Sequence, residues 1–437
     1  MTLDLLAQPL KLPCGATLPN RLCKAAMTEG LADGALRATE RHVRLYRQWS
    51  AGGCGLLLTG NVQVDHRCLE RPANVAIDGN AGLDELRAYA RAGTQHGTHL
   101  WMQIAHAGRQ SPRYVTGSPL APSPVQLQVL NNFAMPRAAT EEDILDVIRR
   151  FANVARIARE TGFTGVQVHS AHGYLLSSFL SPVTNQRTDA WGGSLENRAR
   201  IVIESVRAVR AAVGADFPVS VKLNSDDFRK GGFSNEDCLR VVEWLNAEQL
   251  DLLEISGGTY EQPKLLGAEG ASSTAAAPRE STRQREAYFI DYAERIRAVA
   301  KMPMMVTGGF RSRAAMEEAL SGACDMIGIG RPLVSDPACA KKLLARQVDT
   351  LPAHERVMRQ GVTHDGSPVK AYLRAAAEIS WYYIQIFRLA DGLPPDPRVG
   401  TSWTRLMYFA TEIAAAWRLR RAKKRGAFNS KLSAPPA

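Results

Sequence analysis

No apolar run in this 437-residue chain approaches the roughly 20 residues needed to cross a bilayer. The seven cysteines (Cys14, Cys23, Cys54, Cys68, Cys238, Cys324, Cys339) are odd in number and nowhere spaced C-x-x-C. That argues against a zinc or iron–sulfur cluster site and for a reducing compartment. The opening MTLDLLAQPLKLPCG has no charged segment leading into an apolar run, so no signal peptide is expected and the chain reads as cytoplasmic. A complete G-x-G-x-x-G is missing, and with it the usual mark of an open dinucleotide-binding sheet. Carboxylates are absent from Ile413 to Ala437, where seven basic residues fall (Arg418, Arg420, Arg421, Lys423, Lys424, Arg425, Lys431). That stretch holds seven of the net eleven positive charges, so the other 412 residues carry +4. The body of the protein is therefore no polyanion-binding surface, and no nucleic-acid partner is expected.

What the chain does have is a march of short apolar runs, most of them separated by helix-like segments. Strands are expected at 21–27, 53–60, 99–106, 164–172, 218–224, 250–258, 302–309 and 324–331. The clearest helix is TEEDILDVIRRFANVARIARETG. Thr140 can cap it, acidic residues fill its first turn, and Ile144, Val147, Ile148, Phe151, Val154 and Ala155 form one stripe before Gly162. Strands alternating with helices pair in parallel through right-handed crossovers. Eight such units imply an α/β fold, a (β/α)₈ TIM barrel over residues 1–345, with a mostly helical C-terminal extension at 346–437. Two insertions, at 107–137 and 259–285, follow the third and sixth strands on the side where barrels build their sites.

Polar residues gather at the strand ends. Thr28 follows the first, Asn61 the second, Gln103 and His106 lie in the third, and His169, His172 and Tyr174 close the fourth. Lys222 sits in the fifth, Gly308 and Gly309 end the seventh, and Gly330 and Arg331 end the eighth. In a barrel all of these converge on one mouth. The last two strands offer glycine amides and a guanidinium, a pairing suited to phosphate, although the glycines also serve tight turns. His169-x-x-His172, with His106 as a third ligand, is compatible with zinc and a metal-dependent barrel hydrolase. Such a site needs further ligands on other strands, and the first strand, CKAAMT, offers none.

The run TGVQVHSAHGYLLSSFLSPVTNQRTDAWGGSLENRAR resembles the Old Yellow Enzyme family, the NADH:flavin oxidoreductases or FMN-dependent ene-reductases, in their single-barrel form. The resemblance extends through LPNRLCKAAMTEG, MQIAHAGRQ, VKLNSDDF, EISGGTYE and VTGGFRS…MIGIGRPL, roughly residues 5 to 345. It implies FMN as cofactor, NADH or NADPH as a transient hydride donor, and a small electrophilic substrate, an α,β-unsaturated carbonyl compound. Thr28, Asn61 and Gln103 would touch the isoalloxazine edge, Lys222 would lie near N1 and O2, and Gly309, Gly330 and Arg331 would hold the phosphate, with Gly308 in the same turn. His169 and His172 would donate hydrogen bonds to the substrate oxygen, and Tyr174 would supply a proton. The chain departs from the family at Lys222, where many relatives have arginine, at Ala26, where proline is frequent, and at Asn61, where a small residue is common. The family's longer members add a cysteine cluster and a second nucleotide-binding domain. Here the nicotinamide would dock over the flavin in the substrate pocket, giving a ping-pong cycle. An FMN-binding redox protein without ene-reductase activity is the other reading.

The end of the chain lies outside the resemblance. PPDPRVG reads as a break, and WTRLMYFATEIAAAW (403–417) runs straight into RLRRAKKRG. The plainer expectation is a helix packed on the barrel with a solvated basic end, or a contact in a homo-oligomer. The sharper one is an interfacial helix making peripheral contact with anionic lipid.

Overall fold

The computed structural model describes residues 4–129, 131–257, 290–359 and 368–428. Eight parallel strands form its centre: β1 (Leu22–Lys24), β2 (Leu56–Leu58), β3 (His99–Ala105), β4 (Gly165–Ser170), β5 (Val219–Asn224), β6 (Leu252–Ser256), β7 (Met304–Thr307) and β8 (Met326–Ile329). Each pairs with the next, and β8 returns to β1 in the register Ile327↔Leu22, Gly328↔Cys23, Ile329↔Lys24. The sheet is closed, so it has no free edge. Every strand lies within a run expected from the sequence, and the TIM barrel stands. The connecting helices are α1 (Glu40–Ser50), α2 (Leu83–Gly93), α3 (Glu141–Glu160), α4 (Leu195–Val213), α5 (Asn235–Leu245), α6 (Ile290–Arg297) and α7 (Arg313–Gly322).

Local chemistry explains the best-defined helix. Thr140 Oγ1 accepts the Asp143 amide at 3.2 Å while Asp143 Oδ2 accepts the Thr140 amide at 2.9 Å, a reciprocal cap. The expected stripe from Ile144 to Ala155 is buried, and Gly162 turns the chain with φ +92°. The strands are shorter than the expected runs, and one of these boundaries matters for the site. The fourth strand ends at Ser170, and His172 sits beyond it in a left-handed turn with φ +63°. The first insertion carries a two-residue parallel ladder, Leu120–Ala121 with Arg137–Ala138. The second, 259–285, lies outside the described residues.

The inside of the barrel is stratified. At the bottom, Cys23, Leu56, Leu58, Trp101, Leu252, Met305 and Met326 form an apolar plug with Leu10, Leu12 and Leu18 of an N-terminal hairpin. Gly165 admits the plug's indole, because a Cβ there would lie 2.5 Å from Trp101. Above the plug the inward positions turn polar, and this polar layer underlies the mouth.

Outside the barrel, β1 and β2 are tied together at their ends by Glu29. Its carboxylate accepts the Gly60 amide at 2.7 Å and the Tyr89 hydroxyl at 3.3 Å, and it also accepts the Tyr46 hydroxyl. Tyr46 in turn sits 3.1 Å from the buried Lys24 ammonium, which burial pushes down to about 8. Gly60 is obligatory: a Cβ there would lie 2.2 Å from Glu29 Oε2 and 2.7 Å from the Met27 carbonyl. Thr28 and Asn61, each next to a member of this tie, are thereby held at a common height.

The extension forms two long helices, α8 (Pro368–Ala390) and α9 (Thr401–Lys424), packed on each other and on the barrel. Their anchor is Arg71, in the loop after β2. Its guanidinium is buried, bonds Glu412 at 2.5 Å and the Tyr408 hydroxyl at 2.9 Å, and stacks 3.9 Å from the Tyr383 ring centre. Removing one member of a buried pair strands the other's charge, at a cost of about 3–5 kcal/mol. Glu412→Ala should therefore lower thermal and urea stability strongly, and Arg71→Met with Glu412→Leu should recover most of it. A Glu412→Ala protein that melts like wild type would show that the clasp carries no stability.

Candidate active site

The polar layer begins as a relay across four strands. Gln103 on β3 donates to Gln167 Oε1 on β4 at 2.8 Å, Gln167 donates to Glu254 Oε2 on β6 at 2.9 Å, and Glu254 Oε1 lies 2.9 Å from Lys222 Nζ on β5. The last contact is an ion pair rather than a directed hydrogen bond. All four side chains are buried. In-register pairing puts them on the inner face, with Gln103 opposite Gln167 and Lys222 opposite both His169 and Glu254.

One level higher sit the three residues of the His-x-x-His-Gly-Tyr run. The His169 and His172 rings are perpendicular with centres 5.2 Å apart, and the His169 and Tyr174 ring centres are 4.8 Å apart. All three are buried. Burial first, and then the Lys222 ammonium, holds both imidazoles well below the usual histidine range, so they are neutral. His169 Nδ1 accepts the Ala171 amide at 3.4 Å, which leaves its proton on Nε2. His172 Nε2 meets Ser256 Oγ at 2.8 Å, and its backbone is fixed by Asn224 Oδ1 and by Gln110 Nε2. These backbone bonds hold the left-handed turn that brings His172 back over β4.

Asn61, expected at the flavin edge, is also bonded into this group. Thr28 Oγ1 and Asn74 Nδ2 both donate to Asn61 Oδ1, at 3.1 and 2.9 Å. The amide is thereby turned so that Nδ2 donates to Tyr174 Oη at 3.4 Å. A donor on a phenol oxygen stabilises the phenolate left after proton loss.

The glycine turns lie on the far side of the mouth. Gly309 has φ +76°, a conformation that glycine adopts freely, and a Cβ on Gly330 would be in ordinary contact with Met27 at 3.6 Å. Gly308 precedes Gly309 at the end of β7. The Arg331 side chain is one-third exposed, 4.0 Å from Glu378 and 5.9 Å from the Tyr382 ring centre, both on α8. This region thus places glycine backbone and a cation at the C-terminal ends of β7 and β8.

His106 does not join the other two histidines. Its Nδ1 accepts the Gly108 amide at 3.0 Å, and its Nε2 faces Asp65 at 3.7 Å. Among the described residues, Asp65, His66 and Asp78 alone cluster as metal ligands would, and Arg67 and Arg150 already pair with their carboxylates. The zinc reading loses its third ligand. Sequence reasoning also missed Gln167, Glu254, Ser256, Glu29 and Asn74. Glu254 left a readable signal, a single carboxylate inside the apolar strand LLEIS.

A buried cation, neutral imidazole donors, amide donors and a glycine–arginine cradle form the donor set that a flavin's electron-rich pyrimidine edge and its phosphate require. The sequence matches the NADH:flavin oxidoreductase / NADH oxidase family over residues 5–349. It is 40% identical over 356 residues to an NADH-dependent flavin oxidoreductase of Neonectria sp. (strain DH2), covering 76% of this chain and 46% of that protein. A second NADH-dependent flavin oxidoreductase, from Hypocrea jecorina (strain QM6a), is 37% identical over 361 residues, covering 77% of this chain and 88% of its own length. The chain thus spans less than half of one relative and most of the other. An old yellow enzyme homologue from Zymomonas mobilis superposes with a TM-score of 0.67 at 24% identity, covering 80% of this chain and 94% of that one, a likeness of fold. The match runs through the whole barrel, and the chain belongs to the NADH:flavin oxidoreductase / NADH oxidase family, FMN-dependent oxidoreductases of the old yellow enzyme type.

Proposed function

We propose that this protein reduces the activated C=C bond of an α,β-unsaturated carbonyl compound at the expense of NADH or NADPH. The observation that carries this reading is the grouping of two neutral imidazoles and a tyrosine at the mouth, with His169 in register beside Lys222. Thr28 and Gln103 would hold the edge of the flavin ring, Lys222 its N1–O2 side, and Gly308, Gly309, Gly330 and Arg331 its phosphate. When bound, FMN supplies a hydride at N5, received from the nicotinamide and passed to the β-carbon of the substrate.

The residues of the chain do the rest. Negative charge develops on the substrate oxygen as the hydride arrives, and a donor aimed at that oxygen lowers the barrier. His169 offers Nε2–H for this purpose, and being neutral it keeps its proton while donating. His172 can share the oxygen once its Nε2 exchanges Ser256 for the ligand. Tyr174 protonates the α-carbon, and Asn61 acts through Tyr174 as a positioning residue. Lysine at position 222 keeps a fixed cation while giving up the fork of an arginine, and Glu254 holds that ammonium in place.

The protein should purify yellow, with about one FMN per chain, and Arg331→Ala should weaken FMN by roughly ten- to hundredfold, the loss of one charge-assisted bond. A colourless protein that takes up no FMN would sink the reading. In rapid mixing, Tyr174→Phe should leave flavin reduction by NAD(P)H nearly intact and slow reoxidation by cyclohexenone by something like 10²–10⁴-fold. Asn61→Ala should slow the same half-reaction less, and His169→Ala should lose about 2.7–4 kcal/mol there and weaken phenol-like ligands as well. Wild-type reoxidation by Tyr174→Phe with every enone tried would remove the tyrosine from the mechanism. Because the histidines are already neutral, the enone half-reaction should stay flat as pH crosses the usual histidine value near 6.5. A steep inflection there, abolished by His169→Asn, would show that the imidazolium is the working form.

A further inference from the structure

α9 presents two different faces. Its inner face buries Thr404, Glu412, Ala415 and Leu419, with Glu412 on Arg71 and Leu419 packed against Leu36, Leu69 and Ala76. Its outer face exposes Trp403, Leu406, Met407, Phe409, Ile413 and Trp417, between 39% and 63% of each side chain. These are six of the twelve large apolar side chains exposed among the described residues, all on one helix. Such a patch marks an interaction surface.

The same face continues into exposed Arg420, Arg421, Lys424 and Arg425, with exposed Arg418 at the edge where the helix meets Gly34. The one carboxylate on α9, Glu412, is turned inward. The outer face is thus apolar for about 22 Å, then cationic, with no negative charge of its own. Among the described residues no helix is long and apolar enough to cross a membrane, so the face suits a surface rather than an interior. The segments beneath α9, around Gly34–Leu36, Leu69–Ala76 and Tyr114–Val115, follow β1, β2 and β3. The helix therefore runs along the rim of the barrel mouth.

We propose that the outer face of α9 docks on an anionic lipid bilayer, with the helix lying in the headgroup region and the barrel mouth toward the membrane. Tryptophans mark both ends of the apolar stretch, and tryptophan is the residue that favours the headgroup level. The four cations that follow on this face are complementary to anionic headgroups. A second copy would cover the same apolar side chains, but another α9 brings no exposed carboxylate to meet the cations.

Deleting α9 is a poor probe, because it would strip Arg71 of Glu412. The full-length, FMN-loaded protein should instead be sedimented with vesicles, either phosphatidylcholine alone or an equimolar mixture with phosphatidylglycerol. Binding is expected to the anionic vesicles only, and should weaken as salt shortens the screening length. Ile413→Glu with Trp417→Glu should abolish it, and Arg420→Gln, Arg421→Gln and Lys424→Gln together should weaken it on the order of a hundredfold, roughly fivefold per cation. All five positions are exposed, so flavin content and flavin reduction by NADH should stay at wild-type levels. Wild-type protein that remains in the supernatant at low salt overturns the proposal, as does binding that survives Ile413→Glu with Trp417→Glu. A dimer in solution that those two changes split, without vesicle binding, would assign the face to a second copy instead.

Discussion

Lys222 stands on the inner face of a closed parallel barrel, where water is scarce and a lone ammonium would cost several kcal/mol. Glu254 offsets that cost from the neighbouring strand, and the two glutamines extend the polarity to β3, so that four strands share one network. The rest of the site follows from this arrangement. The cation and the burial together keep His169 and His172 neutral, and neutral imidazoles are fixed donors rather than charges that would repel Lys222. The apolar plug below gives the network a floor, and it closes the barrel from the side opposite the mouth.

A second constraint acts from outside. Glu29 gathers Tyr46, Tyr89 and the Gly60 amide, so the ends of β1 and β2 cannot move separately. Asn61 follows Gly60, and its amide is oriented by Thr28 and Asn74 before it reaches Tyr174. The extension adds contacts on both flanks of the mouth, with α8 beside Arg331 and α9 over Arg71. Packing, hydrogen bonding and charge therefore converge on the same few loops.

Much of this was legible in the sequence, for a physical reason. Strands buried on both faces read as apolar runs of Val, Ile, Leu and Met, and all eight stood out. The strand-end residues were legible because a barrel sends its strand ends to one side. Less legible were residues whose role depends on register. Gln167 and Glu254 look like interruptions of core strands until pairing sets them beside Gln103 and Lys222. His172 falls inside the expected fourth strand, because nothing in the sequence announces a histidine at positive φ; Asn224 and Gln110, distant in sequence, hold it there. Asn61 stands out at a strand end, whereas its bond to a tyrosine 113 positions away exists only in the fold. Arg71 carries no signal of its own, since the three partners of its guanidinium all lie in the extension. Of the two expectations for the tail, packing on the barrel describes the inner face of α9.

α9 is helical while its outer side chains still face water, because Arg71, Tyr383 and Leu36 grip its inner side. Fixing the backbone of a residue costs about 1–2 kcal/mol in conformational entropy, and a tail that coils in solution bears that cost at the moment of binding. Here the loss is incurred once, when the barrel folds, and it is offset by contacts that no binding partner provides. Any surface that meets the outer face of α9 therefore meets a rigid rod of fixed register, and its circular dichroism should not change on contact. Orientation comes with the rigidity: a barrel fastened to the rod through Arg71 has one angle to present.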